Sequence, residues 1–210
     1  MVMDLERLVI SIAGEALVGV PASSLKALVS AVIERRRKAA FEILLKELRQ
    51  GKIQLPSVDD AVSAVLRYQR AADEGVARQN LRLMAQVIAG KAFLGNLKAD
   101  EFVYYADMLS SLRREEIIFL AMLYKVQKAW LGKEGGPNPL QHWAIVEGEL
   151  IPSVFPDKQA LRATATACLR TGLLSDDNTM DDSGWYMTTR LMDDLQMIAP
   201  FEAALDEVAI

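Results

Sequence analysis

Hydrophobic residues recur along most of this chain at the spacing that places them on one face of an α-helix. This spacing predicts a first helix over about residues 5–18 and a second over about residues 24–50. Gly19 and Gly51 follow the two predicted ends, where glycine commonly stops a helix. Three further apolar residues lie off the main stripe of the first helix: Ile10, Leu17 and Val18. Because a surface helix needs only one apolar face, we expect these residues to form an interface with a second copy of the chain.

The middle of the chain continues the helical pattern. It runs from Ser57, a predicted N-cap, to about Lys91, and Gly75 is its predicted break. The same spacing predicts further helices over about residues 100–109, 113–130, 140–150 and 157–171. Ser111 is the expected cap of the helix that starts near residue 113. The stretch GKEGGPNP, residues 132–139, is the expected linker, because glycine and proline favour loops.

Two short strand patterns flank an acidic turn near the C-terminus. We predict strands at Leu173–Leu174 and Trp185–Met187, followed by a helix that Thr188 caps. The chain is therefore expected to be mainly α, with one short β-hairpin. The predicted division is a helical bundle over residues 1–131, the linker 132–139, and a C-terminal region over residues 140–210.

Residues 167–198, ACLRTGLLSDDNTMDDSGWYMTTRLMDDLQMI, resemble the second half of a winged-helix domain. In that family a helix ending in Leu-x-x-x-Gly-Leu leads to a strand, a turn called the wing, and a strand reading Tyr-x-x-Thr before the last helix. The matching residues here are Leu169, Gly172, Leu173, Tyr186 and Thr189. The resemblance implies a winged-helix-like domain after the bundle, with the helix at 113–130 as an alternative first helix, and it implies no particular function.

A second resemblance concerns the segments NLRLMAQVIAG and ADEFVYYADMLSSLRREEIIFLAMLY together with the C-terminal region. Their order is similar to that of bacterial abortive-infection alpha-type proteins. The residues at corresponding places are Phe102, Leu109, Leu112 and Glu116. This resemblance implies a role in phage defence and carries over no catalytic residue.

The overall composition argues against a dedicated nucleic-acid-binding protein. The isoelectric point is near 5.2 and the net charge is −4, whereas DNA affinity normally depends on neutralising phosphates. Hydrophobic residues make up 51% of the chain, with a mean hydropathy of +0.13, so we expect a large core or an apolar face that meets a partner. Cys168 is the single cysteine, and the N-terminus lacks the basic leader of a cleavable signal. The expected location is the cytoplasm.

A charge comparison within the C-terminal region tests the DNA-binding alternative. Residues 157–198 contain four basic and seven acidic residues. A nucleic-acid face can still be drawn along one side of the predicted helix: Gln159, Arg162, Thr166 and Arg170. Four aspartates occupy the predicted wing: Asp176, Asp177, Asp181 and Asp182. They would be repelled by phosphate, so the wing is expected to be a solvated turn or a contact for a basic partner surface.

The second helix contains a basic run, Arg35, Arg36, Arg37 and Lys38, within a segment of seven basic and three acidic residues from 34 to 52. Consecutive residues point around most of a helix, so they cannot all line one surface. We expect at least one either to extend its charged end along the surface into solvent or to pair with Glu34 or Glu42. A solvated segment, an anionic membrane or nucleic acid, and a complementary acidic protein surface remain open as explanations.

No residue pattern predicts catalysis, a metal or a cofactor. The acidic turn has Met180 and Met187 where a calcium loop needs oxygen ligands, and His142 and Cys168 are too few for structural zinc. Cys168 lies on an apolar helix face and is expected to be buried, while His142 has no predicted partner that would make it a base. The expected function is that of a non-catalytic interaction or regulatory protein, acting as a homodimer or with another protein. The alternative is a DNA-binding transcriptional regulator.

Overall fold

The computed structural model describes residues 22–54, 57–130, 139–177 and 185–206. Within these residues the chain is mainly helical and contains one short two-stranded hairpin, which confirms the predicted fold class. The elements in chain order are α1 (Ala22–Leu48), α2 (Val58–Glu74), α3 (Arg78–Phe93), α4 (Ala99–Ser111), α5 (Arg114–Trp130), α6 (Pro139–Leu150), α7 (Lys158–Cys168), a 3₁₀ turn (Leu169–Thr171), β1 (Leu174–Asp177), β2 (Trp185–Thr188), α8 (Arg190–Ile198) and α9 (Ala203–Asp206).

The first three described helices pack side by side. Tyr68 on α2 donates a hydrogen bond to the carbonyl of Ala40 on α1, and Asp73 pairs with Arg37, so the two helices run antiparallel. The predicted break between α2 and α3 is confirmed at Gly75, whose φ of 87° ends α2 in the left-handed region that glycine tolerates. The predicted cap at Ser57 is also confirmed, because its hydroxyl accepts from the Asp60 amide.

Two other predicted caps were wrong. Ser111 is the last residue of α4 rather than the cap of α5, and its hydroxyl donates to the carbonyl of Met108. At the start of α5 the Glu116 carboxylate accepts from the Arg113 amide at 2.8 Å, which supplies the missing cap from inside the helix. Before α8 the capping residue is Thr189, one position later than predicted.

The hairpin pairs its strands in antiparallel register, with Leu174 opposite Thr188. The first strand begins at Leu174 rather than Leu173, because Gly172, with φ of 71°, turns the chain out of the preceding 3₁₀ turn. Leu173 is fully buried between that turn and the strand. The sequence therefore located the hairpin correctly but placed its first strand one residue early.

Helix α5 lies at the centre of the described core. Every residue from 116 to 123 is buried, and α5 packs against α6, α7, β2 and α9. The buried residues form one cluster from Ala40 to Leu205, so the helical region and the C-terminal elements share hydrophobic contacts. The predicted domain division stays a prediction, since most of its linker lies outside the described residues.

The N-terminal part of the predicted oligomer surface is also outside the description. Ile10, Leu17 and Val18 belong to residues 1–21, which the structure does not describe. Of the helices that it does describe, none has a long enough apolar run to cross a bilayer.

Candidate interaction surfaces

Gln127 near the end of α5 holds the second strand of the hairpin in place. Its amide nitrogen donates to the carbonyl of Tyr186 at 3.0 Å. Its amide oxygen accepts from the backbone nitrogen of Thr188 at 3.0 Å and from the Thr188 hydroxyl at 2.8 Å. Because Gln127 is buried, these bonds satisfy polar groups of the strand that water would otherwise have to reach. Sequence reasoning missed this residue, since an isolated glutamine on a helix carries no local signal.

Aromatic side chains connect the hairpin to α6 and α7. The ring of Trp143 on α6 lies 6.1 Å from Phe119 and 5.4 Å from Tyr186, measured between centroids. The Tyr186 hydroxyl is 2.8 Å from the hydroxyl of Thr166 on α7. The hairpin is thus packed between α5, α6 and α7, and its base has a defined position.

The predicted nucleic-acid face lies on the exposed side of α7 and the following turn. Gln159, Arg162, Thr166 and Arg170 are all exposed, as the sequence indicated. The guanidinium of Arg170 is nevertheless turned inward, with Nη1 2.6 Å from Oε1 and Nη2 2.8 Å from Oε2 of Glu116. The same Nη2 also donates to the carbonyl of Ser111 at 2.9 Å. Of the four predicted contacts, Arg170 is therefore paired internally and Thr166 is bonded to Tyr186.

Glu116 is a buried carboxylate whose side chain is only 4% exposed. Burial raises its pKa, but hydrogen bonds from Arg170 and the Arg113 amide outweigh burial, so the pKa lies below its ordinary value. The pKa of Arg170 is raised, mainly by its hydrogen bond to Glu116. The pair is therefore ionised at neutral pH and balances its own charge.

The acidic wing is only partly described. Asp176 is exposed on β1 opposite Tyr186, and the backbone of Asp177 pairs with that of Trp185. Asp181 and Asp182 lie outside the described residues. The alternatives of a solvated turn and a contact for a basic partner both stay predictions.

The basic run on α1 meets the C-terminal end of α2. Arg37 makes a two-pronged ion pair with Asp73, with nitrogen–oxygen distances of 2.7 and 2.8 Å. Arg36 donates to the Asp73 carbonyl at 3.3 Å, where the end of α2 carries partial negative charge. Asp73 was not among the partners that the sequence indicated, which were Glu34 and Glu42. Arg35 and Lys38 are exposed, so half of the run is available to a partner.

Cys168 and His142 lie in different surroundings. Cys168 is fully buried, as predicted, and burial raises the pKa of its thiol to about 12, which keeps it protonated and unreactive at neutral pH. His142 is half-buried, and desolvation lowers the pKa of its imidazole. Neither ring nitrogen has a hydrogen-bond partner in the described part of the chain. His142 is therefore neutral at pH 7.

A groove that the sequence did not predict lies between α1, α3 and the segment before α9. Its volume is about 330 Å³, and its apolar floor includes Leu83, Ile117 and Phe201. Three cations surround it: Lys46, Arg78 and Arg82. They come from two helices that are separate in sequence, so no local charge run indicates that they meet.

Two stripes of apolar side chains are exposed on the first two described helices. On α2, Val58, Val62 and Leu66 recur every four residues and are 70%, 51% and 59% exposed. On α1, before its contacts with the bundle begin, the exposed residues are Leu28, Val29 and Val32. Contiguous apolar surface of this kind marks sites where proteins meet other chains.

Comparison with described protein families, curated proteins and solved structures finds no match to the chain.

Proposed function

We propose that this chain is a non-catalytic interaction or regulatory protein in which a degenerate, winged-helix-like C-terminal unit contacts protein rather than DNA. The observation that carries the proposal is the internal pairing of Arg170 with Glu116. A cation that would face phosphate in a DNA-binding unit is instead neutralised by a buried carboxylate of the same chain. Releasing it would leave Glu116 buried without its main partner, which is costly.

The other cations of the C-terminal unit support this proposal. Lys158 lies 2.7 Å from Glu147, and Arg190 lies 4.0 Å from Asp194. Within the described residues of α7, Arg162 is the one exposed cation without an ion pair. DNA affinity grows with the number of phosphates that cations contact, so the single unpaired arginine of α7 supplies little of it.

The exposed apolar stripes support contacts with protein chains. We extend the proposal to self-association, because the stripe on α1 follows in sequence the predicted helix over residues 5–18, whose surplus apolar residues predict a two-fold interface. The membrane-binding alternative for the basic run is weakened, since Arg36 and Arg37 are engaged by Asp73.

The phage-defence context belongs to the proposal as well. The four residues that carry the resemblance to abortive-infection alpha-type proteins are all buried: Phe102, Leu109, Leu112 and Glu116. Three of them are core residues, and Glu116 holds Arg170. The resemblance therefore bears on how the chain folds, and the biological context needs a test in cells.

A DNA-binding regulator is the second candidate, favoured by the exposure of Gln159 and Arg162 on one face of α7. Both candidates are tested by placing a photo-crosslinking amino acid at position 162 in the full chain, inside the native host. We expect crosslinked adducts with protein, which protease digests and nuclease leaves unchanged. A matched crosslinker at Leu94, which is 66% exposed elsewhere on the surface, controls for random collisions.

The native chain and its Arg162→Ala variant are separately titrated with labelled random duplex DNA of about 25 base pairs near physiological salt. The proposal expects no binding tighter than micromolar. Submicromolar binding that is lost on Arg162→Ala, together with nuclease-sensitive adducts at position 162, would establish the DNA-binding alternative instead.

A further inference from the structure

We propose that the groove between α1, α3 and the segment before α9 binds an acidic amphipathic helix of a partner protein. Apolar side chains of that helix would enter the floor, and its carboxylates would meet Lys46, Arg78 and Arg82. The lining contains no residue of α7 or of the hairpin, so the inference goes beyond the proposed function and can fail independently of it.

The course of the groove follows from the packing of α1 and α3. Arg82 lies 3.6 Å from Glu47, and farther along, the Gln54 amide donates to the carbonyl of Ala92 at 2.9 Å. The contacts pair residue 47 with residue 82 and residue 54 with residue 92, so residue numbers rise in the same direction along the two segments, which therefore run parallel. The two helices pack directly against each other, so the groove lies along their shared surface, where an extended rod such as a third helix can dock.

The residues beneath the groove are apolar and belong to the main core. Leu83 is 4% exposed, and Ile117 and Phe201 are fully buried within the main core. Ile43 is half-buried at one side and extends the apolar lining toward α1. A volume of about 330 Å³ lies at the small end of the roughly 300–1,000 Å³ typical of ligand pockets. It fits a few anchoring side chains at helical spacing, which is how helix-in-groove recognition works.

The charges around the groove favour a negative partner. Lys46 and Arg78 are exposed, and neither forms an ion pair within the described residues. Glu47 is the acidic side chain of the lining, but it is 6% exposed and is already used by Arg82 and by the side-chain amide of Gln50. Glu47 therefore orients Arg82 rather than repelling an approaching carboxylate.

The start of α3 adds to this positive field. Arg78 is the first residue of the helix, its first turn has no acidic residue, and Ala77 provides no side-chain cap. The backbone amides of that turn are left to favour negative charge. A chain with net charge −4 thus concentrates uncompensated positive charge beside an apolar groove. The groove combines apolar residues with cations at its edge. An acidic amphipathic helix can contact both, whereas a nucleic acid has no apolar stripe to fill the groove.

The test uses two synthetic helical peptides as probes. One carries leucine at i, i+3, i+4 and i+7 with glutamate on the polar face, and the other replaces every glutamate with lysine. We expect the full chain to bind the glutamate peptide with micromolar affinity at low salt, at least tenfold tighter than the lysine peptide. The affinity should weaken as salt screens the rim.

Charge reversal locates the site. Lys46→Glu with Arg78→Glu should weaken binding of the glutamate peptide at least tenfold. The matched control is Lys98→Glu with Arg190→Glu, which changes the net charge equally at exposed positions away from the groove and should leave binding unchanged. Ile43→Gln should also weaken binding, which a purely electrostatic attraction would not produce. Circular dichroism and thermal melting of each variant establish that it is folded.

Several results would overturn the inference. They are no binding of the glutamate peptide up to about 200 μM, equal binding of both peptides, or equal losses in the groove and control variants. A single-stranded or duplex oligonucleotide that binds through Lys46 and Arg78 in place of the peptide would show that the rim serves nucleic acid. A DNA-binding result at Arg162 leaves this inference standing and removes only the proposed function.

Discussion

Replacing Arg170 with methionine removes the partner of the buried Glu116 carboxylate while keeping most of the apolar stem. In the native chain Glu116 accepts from both terminal nitrogens of Arg170 and from the Arg113 amide. After the change only the backbone amide remains. We therefore expect Arg170→Met to lower the free energy of unfolding substantially at pH 7.

The magnitude follows from the burial of the two partners. Breaking a buried ion pair from one side typically costs about 3–5 kcal/mol. Glu116 is 4% exposed but Arg170 is 42% exposed, so water entering from the Arg170 side resolvates part of the carboxylate. We expect about 2–3 kcal/mol for Arg170→Met. Glu116→Gln should cost less, about 1–2 kcal/mol, because the charge left without a partner is then that of Arg170, which water can reach.

The pH dependence provides a sharper check than the magnitude. In the native chain the pKa of Glu116 is lowered, so its contribution is present above the ordinary value of 4.5 and is lost as pH falls through the folded-state pKa. In Arg170→Met burial dominates and raises that pKa, so the variant gains stability as pH falls through the raised value. The difference between the two proteins should therefore shrink from pH 7 toward pH 4.

Urea unfolding of the native chain, both single variants and the Arg170→Met/Glu116→Gln double variant measures these quantities. The double variant should be more stable than the sum of the single changes predicts, because no unpaired charge is left buried. A cost below about 0.5 kcal/mol for Arg170→Met, or a cost that is the same at pH 7 and pH 4, would refute the assignment of this pair as a buried, ionised contact.

Three further predictions concern single residues. Cys168, with its thiol pKa raised to about 12 by burial, should resist iodoacetamide at pH 8 in the folded chain and react fully in urea; rapid native labelling would contradict its burial. Gln127→Leu should cost about 2–3 kcal/mol by leaving strand groups unpaired and should speed hydrogen exchange at the Thr188 amide, whereas unchanged exchange would show that this contact does not hold the hairpin. Gly75→Ala should cost about 1 kcal/mol or more in urea unfolding, because φ is 87° there, while Gly148→Ala in α6, with open space around the added carbon, should stabilise by up to about 1 kcal/mol; equal effects would argue against strain at position 75.

The sequence by itself determined the order of helices α1 to α8 and the approximate limits of α1 to α7, whereas the short helix α9 was not predicted. Apolar residues at helical spacing report on one segment at a time, so the pattern needs no knowledge of neighbouring segments. Gly75 was readable as a stop because a positive φ is a local requirement that glycine meets at low cost. The hairpin was found for a similar reason, from strand patterns on either side of a polar turn.

The caps mark the limit of this local reasoning. Ser57 caps α2 as predicted, whereas Ser111 ends α4 and Glu116 caps the next helix from within. Both serines satisfy the local rule, and the difference lies in where the preceding helix stops. Asn80 contributes to that stop, since its buried side chain donates to the carbonyls of Leu109 and Leu112.

Only the tertiary structure decided which charges pair and which remain available. Arg37 meets Asp73 on another helix, and Arg170 meets Glu116 from a position 54 residues away. The sequence placed Arg170 on an exposed face correctly and did not say which side of its helix Arg37 occupies, and exposure of a long side chain leaves the position of its charged end undetermined. The groove could not be predicted from the sequence, because its cations and apolar residues come from segments that become adjacent only when the helices pack. Helical periodicity is a property of one segment, whereas a binding surface is a property of how several segments pack together.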